Sequence, residues 1–263
     1  MGSQGKEGVS LVVFSIVIPA FNEENYLGNT LDSLRSGMSE IPDLKGEIIV
    51  VDNNSSDKTA EVANSKGARV VFEPINQISK ARNTGAKLAK GEYLIFIDAD
   101  TQVSPELLGL VLKKLKYYNC GGGGSTLVFD SNRNQIFFGS FLPKFWSLIS
   151  IVLRLAAGSF IFCRKELFVE SGGFSEKLFA GEELLFSQNL KKICKKKGSS
   201  FEILREYPVV TSSRKLLWFS PFQIFLSILI PTLFPLALKS KSLCGFWYRR
   251  PNHKENKNDH SNG

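Results

Sequence analysis

The sequence predicts an α/β fold with a mostly parallel central sheet and flanking helices. Three observations predict it. Short apolar runs rich in β-branched and aromatic residues alternate with amphipathic stretches through the first half of the chain. Those runs are apolar at nearly every position, as strands covered on both faces are. Three of them end in acidic or polar clusters: Asn22-Glu23, Asp52-Asn53 and Asp98-Ala99-Asp100. Such ends lie side by side in a parallel sheet, and ligands bind just beyond them.

Phe14–Ile18 is the first strand, stopped by Pro19. A helix runs from Glu23 to about Ser36, with Tyr26, Leu27, Leu31 and Leu34 at helical spacing and Asn22 as N-cap. Glu47–Val51 is the second strand, and Asp57 or Ser56 caps a helix reaching about Ser65. Arg69–Phe72 is a short third strand. A helix from about Ser79 to Ala89 leads into the fourth, Tyr93–Ile97. Ser104-Pro105-Glu106 opens another helix with a capping residue, a first-turn proline and an acid. It reaches about Tyr118. Gly121–Gly124 reads as a flexible connection, because no helix with Lys or Ser at a phosphate-cradling offset follows, and Ser125–Phe129 is a strand. Gly158–Lys165 is a strand entering a short helix. Glu182-Glu183 starts a helix ending near Lys196, and Phe201–Glu206 is a strand.

A chain of 263 residues holds one large domain, or one domain and an appendage. Its 21 Phe point to apolar surface as well as core, and its net charge of +8 to an anionic partner. Four scattered cysteines and two histidines exclude a zinc cluster or a disulfide framework and fit a reducing compartment. Val9–Ile18 lacks the basic flank and cleavage site of a signal peptide. Neither GxGxxG nor GxxxxGK[ST] occurs in the first turns, which excludes a Rossmann dinucleotide site and a P-loop. A phosphate bound here would then be held through a hard divalent cation on Asp98 and Asp100.

Two apolar stretches stand apart. Phe137–Leu155 carries only Lys144 and Arg154 as charges and contains Pro143; it suits an amphipathic membrane-face helix or a lid. Leu216–Leu238 is 23 residues without a charge, with Trp218 near one end and Lys239 and Lys241 beyond the other. Its length suffices to cross a bilayer, while Pro221, Pro231 and Pro235 allow a kinked span, a re-entrant hairpin or an interfacial helix. The expected organisation is a tail (1–13), the α/β domain (14–213), a hydrophobic membrane-associating segment (214–240) and a basic, polar, disordered tail (241–263). With domain and tail on one side, the expected place is the cytoplasmic face of a membrane, by peripheral, monotopic or C-terminal attachment.

Four motifs, in order, resemble those of the inverting family 2 glycosyltransferases of the GT-A fold. They are Ser15-Ile-Val-Ile-Pro-Ala-Phe-Asn-Glu-Glu24, Glu47-Ile-Ile-Val-Val-Asp-Asn-Asn-Ser-Ser-Asp57, Ala81-Arg-Asn-Thr-Gly-Ala86 and Gly91-Glu-Tyr-Leu-Ile-Phe-Ile-Asp-Ala-Asp100. The likeness covers about residues 14–212. It implies transfer of a sugar from a UDP- or GDP-sugar to a hydroxyl acceptor, a glycan or a lipid-linked one, with Mg²⁺ or Mn²⁺ as cofactor. It implies Asp100 as direct metal ligand and Asp98 toward the ribose or the metal shell, with Ala99 between them. It implies Asp52 toward the base, and Pro19, Ala20, Phe21 and Glu23 around the nucleoside. Arg82 would sit near the pyrophosphate or position Asp98, and Arg214 would reach over the diphosphate. Glu182-Glu183 stands where the family carries its acidic pair, usually Glu-Asp, so Glu183 becomes the general base. Ile78 stands where the family usually carries glycine. The partners expected are the donor, the acceptor and a membrane surface, with no nucleic acid. Two rivals are a sugar-1-phosphate nucleotidyltransferase and a non-catalytic, membrane-bound nucleotide-sugar-binding protein. The first wants a Gly-rich basic first loop, which Pro19-Ala20-Phe21-Asn22 does not supply. The second draws support from Glu182-Glu183 and Ile78.

Overall fold

The computed structural model describes residues 12–130, 158–214, 218–220, 223, 226–227 and 234–248. The first half runs β1 (Phe14–Ala20), α1 (Leu27–Ser39), β2 (Gly46–Asp52), α2 (Thr59–Ser65), β3 (Arg69–Phe72), α3 (Ile78–Leu88) and β4 (Tyr93–Ile97). The second adds β5 (Thr101–Gln102), α4 (Pro105–Tyr117), β6 (Cys120–Phe129), β7 (Phe160–Arg164), α5 (Lys165–Glu170), α6 (Glu182–Lys196) and β8 (Ser200–Thr211). A 3-10 turn at Pro235–Lys239 precedes a short last helix, α7 (Gly245–Tyr248).

The strands form one sheet in the order β3-β2-β1-β4-β7-β6-β8-β5. The β3-β2-β1-β4 half is parallel. Beyond it β7 runs antiparallel to β4 and β6, while β6 and β8 are parallel. Alternate residues of the central strands feed two cores. Phe14, Ile16 and Ile18 face α1 and α4, whereas Val17, Leu94 and Phe96 face α3, α5 and α6. The phenylalanines serve the second core heavily: Phe96 meets Phe174 edge-on at 5.0 Å, and Phe174 meets Phe186 at 4.5 Å. Gly85 lets α3 lie close on this face, since a Cβ there would be 2.3 Å from a Val17 methyl. Register sets the ligand end. Ala20 pairs with Asp52 and Val17 with Phe96, so the chain leaves β1, β2 and β4 at one edge.

Several local readings change. Asn22 does not cap α1, which begins at Leu27. It adopts a left-handed φ of 52°, a region asparagine tolerates, and its Oδ1 accepts the Ser56 N–H at 2.8 Å. The Glu23 carbonyl accepts from Tyr26 and Leu27, making a turn before the helix. Asp57 accepts the Thr59 N–H at 3.0 Å, although Lys58 occupies the cap position. Gly121–Gly124 is no flexible connection but part of β6, hydrogen-bonded on both sides. A Cβ at Gly123 would stand 1.9 Å from the Glu202 carbonyl oxygen, so the close approach of β8 requires glycine.

Among the described residues no helix is long and apolar enough to cross a membrane. Phe137–Leu155, most of Leu216–Leu238 and the tail from 249 lie outside the described residues. Lys241–Tyr248, placed by the sequence in a disordered tail, forms a turn and α7 with Cys244 fully buried. Non-local contacts hold this end of the chain: Phe179 N–H donates to the Leu238 carbonyl at 2.7 Å, and Lys241 Nζ donates to the Asn76 carbonyl at 2.9 Å.

Candidate active site

Where the chain leaves the parallel strands there is a cleft with about 520 Å³ of empty space, its mouth included. The end of β1 contributes Pro19, Ala20, Phe21 and Glu23, and the segment after β4 contributes Asp98, Ala99 and Asp100. Those seven are sequence-predicted site residues brought together. Asn53, Asn76, Ile78 and Tyr248 complete the wall. Asn53 adjoins a predicted residue in the polar cluster after β2, which is the signal for it. Its Nδ2 donates to the Glu73 and Ile75 carbonyls, and Asn76 Nδ2 donates back to the Asn53 carbonyl. Tyr248 arrives from the far end of the chain and its hydroxyl accepts the Ile78 N–H at 3.5 Å; no local pattern announces it.

Five predicted residues stand outside the wall. Asp52 is buried, and its Oδ1 accepts the Ser55 N–H at 3.0 Å, so it shapes the turn after β2 while Asn53 faces the cleft. Arg82 lies behind the cleft on α3. Its Nη2 donates to Asp98 Oδ1 at 3.0 Å and to the Gly158 carbonyl at 2.9 Å, and its Nη1 donates to Glu182 Oε1 at 3.0 Å. The contact with Asp98 is the geometry that one of its two expected roles, the positioning of Asp98, requires. Arg214, expected over the diphosphate, lies against two acids of the cleft wall. Its Nη2 donates to Glu23 and, at 2.9 Å, to Asp100 Oδ2. Glu182 and Glu183 start α6, where Gly181 turns the chain with a left-handed φ of 73°.

The two acids of that pair differ in environment. Glu182 is buried against Arg82. Burial, and then the charge of Glu183, push its carboxyl up to about 8 against the pull of Arg82. Glu183 is half-buried, and a Cβ on Gly158 would come within 3.3 Å of its Cγ. Burial opposes the charge on Arg82, but Asp98, Glu182 and Glu183 in that order outweigh it and raise its pKa. The Arg82 guanidinium therefore stays charged and binds the end of β4 to the start of α6.

Asp98 and Asp100 suit a hard divalent ion: both are carboxylates on one cleft wall. Among the described residues no three His, Cys, Asp or Glu side chains form a metal cage. An ion held here completes its shell with ligand oxygens or water, as Mg²⁺ commonly does. The acids differ in reach, for the Asp98 side chain is 32% exposed and that of Asp100 only 8%.

A family model described as glycosyl transferase family 2 matches residues 15–169. The chain is 36% identical over 96 residues to the uncharacterized glycosyltransferase EpsJ of Bacillus subtilis (strain 168), a match covering 34% of this chain and 26% of that protein. The chain thus spans about a quarter of that relative. Among solved structures, Staphylococcus aureus TarS 1-349 in complex with UDP superposes with a TM-score of 0.58 at 19% identity, covering 89% of this chain and 70% of that one. The mannosyltransferase PcManGT from Pyrobaculum calidifontis, in complex with GDP-Man and Mn²⁺, gives 0.63 at 19% identity, covering 86% and 62%. These two likenesses establish the fold.

The raised pKa of Glu182 has a signed consequence. Between the ordinary carboxyl pKa and about 8, the unfolded chain has lost this proton while the folded chain keeps it. Glu182 therefore makes stability fall as pH rises through that window. Thermal denaturation at pH 5 and pH 8 should show a smaller drop for Glu182→Gln than for the unsubstituted chain. Equal drops would remove the assignment.

Proposed function

The chain belongs to glycosyl transferase family 2, and from that premise we propose that it transfers a sugar from a UDP- or GDP-linked donor to a hydroxyl acceptor, with inversion at the anomeric carbon. One observation carries the reading. Arg82 ties Asp98, on the cleft wall, to Glu182, whose neighbour Glu183 is a carboxylate with no hydrogen bond or ion pair among the described residues. A charged-ligand pocket and a carboxylate beside it are thus held by one rigid link.

In this reading the nucleoside lies between Phe21 and Asn53, beside Pro19 and Ala20, and the diphosphate lies toward Asp98 and Asp100. Those two aspartates hold Mg²⁺ or Mn²⁺, which when bound offsets charge on the leaving diphosphate. The UDP complex of TarS and the GDP-Man and Mn²⁺ complex of PcManGT support both donor classes and the metal. The Glu183 carboxylate takes the proton of the acceptor hydroxyl. That oxygen bonds to the anomeric carbon from the face opposite the diphosphate, and the electron pair of the breaking C–O bond leaves on the diphosphate. Glu182, held by Arg82, positions the start of α6 and does not touch the acceptor.

Attachment to a membrane surface at its cytoplasmic face is part of the same proposal. Phe234 and Leu236 are 66% and 74% exposed, next to the exposed Lys239 and Lys241. An apolar edge beside lysines suits an anionic bilayer. The full chain should float with vesicles containing phosphatidylserine and lose this when Phe234 and Leu236 are both changed to Ser; recovery in the soluble fraction before substitution would contradict it.

For catalysis the decisive comparison is Glu183→Gln. Donor binding should persist within about threefold while transfer falls by at least ~10²-fold. A variant that transfers sugar at the unsubstituted rate would exclude Glu183 as base.

A further inference from the structure

Arg214 occupies an unusual place for a phosphate-binding arginine. Its Nη2 donates to Glu23 Oε1 at 2.6 Å and to Asp100 Oδ2 at 2.9 Å. The three side chains are only 7, 6 and 8% exposed. The guanidinium lies over two aromatic rings, 4.1 Å from that of Tyr26 and 5.3 Å from that of Trp218. The backbone enforces the placement, since Ser212 N–H donates to the Asp100 carbonyl at 3.2 Å and Arg214 follows two residues later. Burial disfavours its charge, yet Asp100 and then Glu23 overcome that and raise its pKa.

We propose that Arg214 is the resident cation of the Asp100–Glu23 pair and makes metal binding conditional on the donor diphosphate. The inference rests on the donor-site reading above. One guanidinium against two carboxylates leaves a single negative charge in a poorly hydrated place. A bare divalent ion would reverse that charge and compete with Arg214 for Asp100. Two cations on one carboxylate in a low-dielectric site repel each other strongly. A divalent ion that arrives with a sugar diphosphate brings its own compensating charge, and the phosphate oxygens offer Arg214 replacement acceptors. Arginine suits this exchange, because its planar, weakly hydrated fork pairs equally well with carboxylate and phosphate. Arg214 thus trades the Asp100 carboxylate for phosphate oxygen as the donor enters, and Asp100 becomes free for the metal. Asp98, more exposed than Asp100, is the first acid an incoming ion meets.

The test is Mn²⁺ binding by the full chain, read from the electron paramagnetic resonance of the free ion, with and without UDP or GDP. Without nucleotide, Arg214→Gln should bind Mn²⁺ at least about tenfold more tightly than the unsubstituted chain, and Arg214→Lys should change it less. Glu23→Gln leaves Arg214 with Asp100 alone, so it should weaken nucleotide-free Mn²⁺ binding. This variant keeps the test decisive if Arg214→Gln does not fold. A merely structural role for the cluster would move both variants the same way. Unchanged Mn²⁺ affinity in Arg214→Gln and Glu23→Gln, with nucleotide-dependent Mn²⁺ binding intact, would overturn the proposal and leave the donor site standing. No Mn²⁺ binding by any of these proteins, with either nucleotide, would overturn both.

Discussion

The Arg82 guanidinium is the interaction on which the site depends. It is buried, its Cζ lies 5.1 Å from the centre of the Phe174 ring, and it spends three hydrogen bonds on three separate parts of the chain. Asp98 ends the parallel half of the sheet, Gly158 precedes β7, and Glu182 opens α6. Burying an arginine is costly, and the Asp98 carboxylate together with the Glu182 carboxyl oxygen, each at 3.0 Å, offset that cost only while the geometry holds. The second core supplies that geometry through Phe96, Phe168, Phe174 and Phe186 packed beneath it. The high phenylalanine content is thus explained in part by one ring cluster supporting one cation.

A second arginine repeats the arrangement two residues further along, at Asp100. Arg214 joins the loop after β1, through Glu23, to Asp100 and the end of β8. Each aspartate of Asp98-Ala99-Asp100 therefore has its own guanidinium. Arg82 is fixed on three sides and holds Asp98 in a partly open position. Arg214 is attached near the chain segment that leaves the sheet and covers Asp100. The asymmetry divides the labour between a permanent support and an exchangeable partner.

Much of the parallel half was legible because its strands are apolar on both faces and its helices have helical period. The acids after β1 and β4 stood out because no buried strand has a structural use for them. The rest depends on contacts between distant parts of the chain. Four consecutive glycines look flexible in isolation, but β7 and β8 approach β6 so closely that only glycine fits. Asn22 before Glu23 looks like a helix cap until Ser56 takes its side chain. Asp52, expected toward the base, also gives one of its oxygens to the Ser55 N–H, a local role its sequence position does not announce. Tyr248 and the Arg214–Asp100 pair join residues more than a hundred positions apart, and periodicity cannot reveal such a pairing.

The claim beneath all of this is that the acid-ended edge of the parallel half is a metal-dependent nucleoside diphosphate site. Isothermal titration of UDP and of GDP into the full chain, in Mn²⁺ and again in excess EDTA, tests it most directly. At least one nucleotide should bind in Mn²⁺ and lose that affinity by at least about tenfold in EDTA. Binding equally tight in EDTA, or no binding of either nucleotide in Mn²⁺, would contradict it.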